Sequence, residues 1–256
     1  MGRITHLLSV LLLCVLPALC QHVRHPQHYC RLSQEHQLCN RKPPSSSCGR
    51  LLWRGTTLQQ RKHVLEMHNV IRSQVARGNV QGFDGFLPPA ADMIELEWDD
   101  ELAEIAQAHV EKCKFLHDCG DCKKTERFHG VGQNLGSAYH FDISEIDKKL
   151  KFVIGEWYRE VRIYSRRAVD MWRSTNAGHF TQMVWGKTRA IGCGVLARTM
   201  IMNNDPVIRT DIFCNYGGVG NVVDHPVYQR GPPCSRCPPG THCSPVFPGL
   251  CAPNRA

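Results

Sequence analysis

Fourteen cysteines and fourteen histidines give this 256-residue chain a large stock of side chains that can ligate a metal or attack an electrophile. Cys119-x-x-Cys122 and Cys234-x-x-Cys237 have the two-residue spacing that zinc sites use. His22, His25 and His28 cluster near the start, where they could gather a metal or simply belong to a polar leader. No serine stands in a Gly-x-Ser-x-Gly turn, so that form of nucleophilic hydrolase is excluded. His68 and His109 fall on the inner faces of helical patterns and read as packing residues.

The compartment decides which chemistry the cysteines follow. Residues 1–20 carry Arg3, the apolar run Leu7 to Leu16, then Pro17 and Ala18. This is the pattern of a signal peptide cleaved near Cys20 or Gln21. The run is too short for a membrane span, which needs about 20 apolar residues, and no longer one follows. A soluble, secreted, extracellular protein is therefore expected. Cys14 and Cys20 leave with the leader, and twelve cysteines remain. In an oxidising compartment they form disulfides rather than thiolate zinc sites. The pairing among Cys30, Cys39, Cys48, Cys113, Cys119 and Cys122 stays open. No Asn-x-Ser/Thr sequon occurs, so no N-glycan is expected.

The net charge of +8 would draw the protein to acidic glycans or lipid head groups if it were concentrated. It is not. Lys148-Lys149-x-Lys151 and Arg166-Arg167 are short runs that read as solvated helix faces. No nucleic-acid module is present, so no nucleic-acid partner is expected.

The elements that must position any site fall into three mature parts. Residues 21–57 are polar, rich in His, Pro and Ser, and read as a disulfide-pinned extension. Residues 58–221 carry globular patterning. Residues 222–256 are dense in Pro, Gly and Cys and can hold shape only through their four cysteines. Val64, His68, Ile71 and Val75 share one helical face, and Gly78 ends it. Asp99 caps a second helix, with Leu102, Ile105, Ala106, His109 and Cys113 facing inward. Ser144 caps a third, with the stripe Ile146, Leu150, Val153, Trp157 and Val161. Ile191, Cys193, Val195 and Ala197 alternate as a strand, as do Ile208, Thr210, Ile212, Cys214 and Tyr216. A turn over 203–206 joins them into a hairpin that sets Cys193 across from Cys214. Helices ahead of an antiparallel hairpin give an α+β fold with helices packed on the sheet.

Several motifs together resemble one family. Gly178-His179-Phe180-Thr181-Gln182-Met183-Val184-Trp185 matches the first signature of the CAP superfamily at every position, and Cys214-Asn215-Tyr216 with Gly220-Asn221 resembles the second. His68-Asn69-x-x-Arg72, Leu102-Ala103-x-x-Ala106-Gln107 and Cys113-x-Phe115-x-His117-Asp118 follow in the family's order over about 160 residues. The Cys-rich start and Gly132-Gln133-Asn134-Leu135 are similar to the arthropod venom and salivary antigen 5 group. Gly218 departs from the family's usual Pro or small side chain, which implies a looser loop.

The resemblance implies an α-β-α sandwich with a small antiparallel sheet between helical layers. It implies a cleft of two histidines and two acids, which fall on His117, His179, Glu160 and, where the second acid is expected, Gln133. His117 and His179 are the implied metal ligands; zinc is the implied ion and no cofactor is required. The tail resembles the hinge of cysteine-rich secretory proteins, implying Cys234–Cys243 and Cys237–Cys251. With one acid replaced by an amide, the implied function is a secreted, non-enzymatic binding protein with no catalytic residue, acting on lipids, small mediators or host proteins. Its expected partner is a hydrophobic small molecule or a host protein. Phe83, Phe86, Leu87, Ile94, Val153 and Trp157 either line an apolar channel or form ordinary core. Two alternatives stand beside this reading. One is a zinc-dependent hydrolase or protease using His117, His179 and Glu160; the other is a defence or surface-interaction protein with no small ligand. Arg77-Gly78 continues with Asn79, so an Arg-Gly-Asp adhesion loop is absent. No oligomeric state follows from these residues.

Overall fold

A computed structural model describes residues 26–39 and 41–254. The expected leader over 1–20, together with His22 and His25, lies outside these. In chain order the described elements are α1 (Pro26–Leu32), β1 (Leu51–Arg54), α2 (Leu58–Ala76), β2 (Gln81–Gly82), β3 (Gly85–Phe86), β4 (Glu97–Trp98), α3 (Asp100–Val110), β5 (Val131–His140), α4 (Ile146–Arg159), α5 (Gly178–Met183), β6 (Ala190–Met202), β7 (Asp205–Gly217), β8 (Thr241–Cys243) and β9 (Cys251–Pro253).

The sheet grows around the hairpin of β6 and β7, paired from Ala190↔Gly217 to Met202↔Asp205. Asn203 and Asn204 both take left-handed φ, 52° and 68°, so two residues suffice to reverse the chain. The four-residue turn expected over 203–206 is thus shorter. Pro206 already lies in β7, opposite Ile201. Strand β5 adds antiparallel to β7, β1 antiparallel to β6, and β4 parallel to β6. The edge strand β1 comes from the stretch read as extension.

Helix ends follow local chemistry. Thr57 and Gln60 form a reciprocal capping box at the start of α2, and Gly78 leaves its end with φ of 73°. Asp99 accepts the Leu102 amide at 2.9 Å and caps α3. Ser144 does not cap α4. Asp142, two residues earlier, takes the Ser144 amide at 2.9 Å and starts a 3-10 turn, Ile143–Glu145, from which α4 continues. A carboxylate already in place leaves the serine as a donor's residue, not an acceptor.

The layers form an α-β-α sandwich. Helix α3 lies on one face and approaches β6 through Gly192 and Gly194, where any Cβ would collide with the backbone of Asp99, Leu102, Ala103 and Gln107. Gln107 closes the contact by accepting the Val195 amide at 2.9 Å. Helices α2, α4 and α5 cover the other face. Val64, Ile154, Trp157, Phe180, Met183, Ile191, Ile212 and Tyr216 form the core there, each at most 3% exposed. Burial of such side chains contributes about 1.5–3 kcal/mol apiece.

Six disulfides link the described cysteines: Cys30–Cys39, Cys48–Cys113, Cys119–Cys122, Cys193–Cys214, Cys234–Cys243 and Cys237–Cys251. The N-terminal segment is also tied to α3 by buried Glu111, which accepts from Arg54 at 2.5 and 3.0 Å and from Gln107 at 2.9 Å. Burial would raise this carboxyl; the bonds and charges of Arg54 and Arg41 outweigh it and hold it below the usual range. The tail docks through Leu250, fully buried, and through Cys251 N–H donating to Met93 O at 2.8 Å.

The most constrained side chain is Arg72, with 0% exposure. Its guanidinium donates to the carbonyls of Ile94 (2.9 and 2.6 Å), Met183 (2.9 Å), Trp185 (2.9 Å), Gly186 (3.3 Å) and Thr188 (3.2 Å). Trp185 O and Gly186 O keep bonds from the amides of Thr188 and Ile94, but removing the donors leaves the carbonyls of Ile94, Met183 and Thr188 without a partner, each at about 1–3 kcal/mol. The Arg72→Met variant is therefore expected to lose at least about 3 kcal/mol in urea unfolding. A loss below about 1 kcal/mol would contradict this account.

Candidate functional site

Two histidines are held by separate hydrogen-bonded clusters that meet on one strand. In the first, β5 sets Gln133 opposite Asn215 of β7. Asn215 donates Nδ2–H to Leu102 O at 3.3 Å, which fixes its amide and turns Oδ1 toward Gln133. Gln133 Nε2–H donates to that oxygen at 3.0 Å. Gln133 Oε1 is then the acceptor for the Asp118 amide at 3.0 Å and for His117 Nδ1–H at 3.1 Å. The direction of every bond is set in turn, and the His117 lone pair resides on Nε2. His117 itself is exposed.

In the second cluster, α5 begins without a capping side chain of its own, since Ala177 precedes it. Glu160, just past α4, supplies the cap from outside. Its Oε2 accepts the amides of His179 (2.9 Å) and Phe180 (3.0 Å), and its Oε1 accepts His179 Nδ1–H at 2.6 Å. The His179 lone pair therefore also sits on Nε2. Trp157 stacks on the imidazole with centroids 5.9 Å apart and is anchored by Nε1–H to Leu135 O at 3.3 Å.

Asn134, the next residue after Gln133, joins this cluster to the core. It donates to His179 O at 3.1 Å and to the Tyr216 hydroxyl at 3.2 Å. Tyr216 donates to His68 Nε2 at 3.0 Å, and His68 Nδ1–H ends the chain on Val64 O at 2.7 Å. Sequence reasoning placed His68 in packing and passed over Asn134, Asn215 and Tyr216 as site residues. Their signal was available as polar side chains in otherwise buried strands, which must find partners.

The structure thus brings His117 to Gln133 and His179 to Glu160, and links the pairs through consecutive residues of β5. Among the described residues His117, Glu160 and His179 do not supply three donor atoms within 4.8 Å of one another, so a closed three-ligand metal site is not formed by them. Of the residues considered for an apolar channel, Leu87, Ile94, Val153 and Trp157 are core, while Phe83 and Phe86 are 75% and 60% exposed. Gly218 takes φ of 82°, and a Cβ there would press on Lys187 O. Its carbonyl accepts Thr188 Oγ1–H at 2.8 Å, so the expected loose loop is pinned. Among the described residues no helix is long and apolar enough to cross a membrane.

An α-β-α sandwich carrying this pair of clusters is the architecture of a cysteine-rich secretory protein. Residues 65–199 match the family described as CAP, cysteine-rich secretory protein family, and the chain belongs to it. It is 38% identical over 236 residues to venom allergen 5 of Tityus serrulatus, covering 88% of this chain and 54% of that protein. The chain thus spans about half the length of that relative. It is 36% identical over 213 residues to venom allergen 5 of Vespa magnifica, covering 79% of this chain and 89% of that one. A crystal structure of NaASP2 with Zn2+ superposes with a TM-score of 0.60 at 27% identity, covering 77% of this chain and 97% of that one.

Burial dominates the titration of His68 and pushes it from 6.5 down to about 4, against the raising effect of the Val64 carbonyl. The folded state holds this imidazole neutral while the unfolded chain takes a proton below 6.5. Stability is therefore full above that pH and falls as pH drops from 6.5 to about 4, by about 3 kcal/mol from this group. His36 and His109, also lowered chiefly by burial, act in the same sense. In urea titrations across this window, His68→Gln is expected to lose stability less steeply than the native chain. Equal slopes would remove His68 from the account.

Proposed function

We propose that this chain is an exported, non-enzymatic binding protein whose two cleft histidines take zinc reversibly and whose partner is a hydrophobic small molecule or a host protein. Its working unit is residues 58–221, with 21–57 and 222–256 as disulfide-held extensions. Export is supported by the leader pattern and by six disulfides. The venom-allergen relatives support the same compartment.

The observation that carries the non-catalytic reading is that neither Gln133 nor Glu160, the two positions where the cleft would hold an acid, offers a free carboxylate. Gln133 takes no proton at neutral pH, and its oxygen and nitrogen are both committed. Glu160 accepts three N–H groups through its two oxygens. A general base must reach the proton it removes. What remains available is the Nε2 lone pair of each imidazole.

Those lone pairs fit zinc, which favours imidazole nitrogen and completes its shell with water. Bound there, zinc would act as a Lewis acid. The protein's part is orientation: Glu160 fixes the His179 ring with its lone pair on Nε2, and Gln133 does the same for His117. The NaASP2 structure with Zn2+ supports the choice of ion.

Zinc titrations by calorimetry are expected to show binding that His117→Ala or His179→Ala abolishes. Glu160→Gln should weaken it about 10–100-fold, because a glutamine nitrogen facing Nδ1 moves the ring's lone pair away from Nε2. Affinity unchanged in all three variants would remove zinc from the cleft. Hydrolytic turnover of peptides or esters that chelator abolishes, zinc restores and His179→Ala destroys would establish the hydrolase instead. Native mass spectrometry of material from the natural source is expected to show a retained apolar ligand or a bound protein.

A further inference from the structure

Cys119 and Cys122 bracket Gly120 and Asp121 in a loop directly after His117 and Asp118. Their disulfide differs from the others in two ways that matter for exchange. It closes the shortest loop, with a sequence separation of 3 against 9 to 65 elsewhere, so it constrains the unfolded chain least. Cys119 is also exposed, whereas Cys48, Cys193, Cys214 and Cys251 are at most 1% exposed. Exposed disulfides are the exchangeable ones. Cys234–Cys243 is the nearest rival, with Cys243 exposed but a separation of 9.

The loop is held by bonds that do not involve the disulfide. Lys123 Nζ donates to Asp118 O (3.0 Å) and Cys119 O (2.9 Å), and Gln37 N–H donates to Cys122 O (2.9 Å). One further bond does use a disulfide sulfur: Cys122 N–H donates to Cys119 Sγ at 3.0 Å. The Glu35 carboxylate, brought in by the N-terminal segment, lies 3.6 Å from Cys119 Sγ. Glu35, Cys119 and Cys122 are the only set of three or more Cys, His, Asp or Glu among the described residues whose donor atoms all lie within 4.8 Å.

We propose that Cys119–Cys122 is a thiol-exchange site whose reduction opens a Cys-Cys-Glu zinc site with Glu35. The reductant is a small-molecule thiol such as glutathione. Its thiolate attacks exposed Cys119 Sγ; the new S–S bond forms as the Cys119–Cys122 bond breaks, and the electron pair leaves on Cys122 Sγ. A second thiol attacks the mixed disulfide, releasing Cys119 as thiolate and the small-molecule disulfide. Two thiols are oxidised for each protein disulfide reduced. Zinc then displaces the remaining thiol protons, and two sulfurs, the Glu35 carboxylate and a water satisfy its four-coordinate preference. The backbone anchors keep both sulfurs beside Glu35 after the bond is cut.

The test uses the full chain carrying His117→Ala and His179→Ala, so that zinc taken up elsewhere does not enter the readout and failure of the cleft reading is distinguished. Native protein is treated with glutathione, alkylated and mapped by peptide mass spectrometry. Positions 119 and 122 are expected to be labelled before any other cysteine. After anaerobic removal of thiol, equilibrium dialysis should show one zinc per chain more than the oxidised protein binds. Glu35→Gln should weaken it at least tenfold, and Cys119→Ser/Cys122→Ser, with an unchanged melting curve, should show no redox-dependent gain. First opening of Cys234–Cys243, no additional zinc after reduction, or full affinity in Glu35→Gln would each overturn the proposal.

Discussion

A single buried guanidinium sets the position of the segments that carry the site. Arg72 reaches from α2 across to the carbonyls of residues 94, 183, 185, 186 and 188, spanning the approach to β4 and the whole connection from α5 to β6. No carboxylate bonds it; carbonyl dipoles do. Burial lowers the group to about 9, with Asp92 and Tyr216 opposing, so the charge persists at neutral pH. A desolvated cation is tolerated only where every donor finds an acceptor. That demand fixes the 183–188 backbone far more tightly than apolar packing would, since an arginine fork tolerates little displacement. Helix α5, only six residues long, inherits its placement from this end.

The other end of α5 depends on Glu160. A six-residue helix preceded by alanine has unpaired amides at its start, and the carboxylate from the end of α4 closes two of them. The same side chain orients His179. Capping and site geometry therefore cannot be separated: whatever moves α4 relative to α5 moves the imidazole. Strand β5 completes the arrangement. Gln133 and Asn134 point to opposite faces of the sheet, one reaching His117 through the α3 side, the other reaching His179 O through the α5 side.

Much of the fold is readable without coordinates because burial on one face leaves a period. The stripe of α4 follows directly from a helix that presents one side to the core. The alternation of β6 and β7 has another source, because both faces are buried over most of their length: the face toward α3 takes small or polar residues such as Gly192, Gly194 and Asn215. Strand β5 has no such signature. Seven of its ten positions are buried, it is interrupted by Gly132 and Gly136, and it carries Gln133 and Asn134 in its middle. A strand covered on both faces loses its alternation. Ser144 misled because a serine before an apolar stripe looks like a cap, and only the nearby Asp142 shows which residue accepts. Positions 117, 133, 160 and 179 follow no helical or strand spacing, so only family motifs drew attention to the pairs His117–Gln133 and His179–Glu160. The Cys48–Cys113 pairing depends on how the N-terminal segment folds back onto the end of α3, which no local pattern encodes.

The amide at 133 is more than the loss of an acid. Asn215 is locked by its bond to Leu102 O, so its oxygen faces residue 133. A carboxylate there would set two acceptors against each other at about 3 Å, or force Asn215 to flip and turn its own oxygen onto Leu102 O, losing that bond at about 1–3 kcal/mol. Glutamine resolves the conflict by donating toward Asn215 while still accepting from His117 and Asp118. The chain Leu102–Asn215–Gln133–His117 runs donor to acceptor without a break only with an amide at this point. Restoring an acid at 133 alone would therefore strain the network, so the residue at this position is set by partners on both strands.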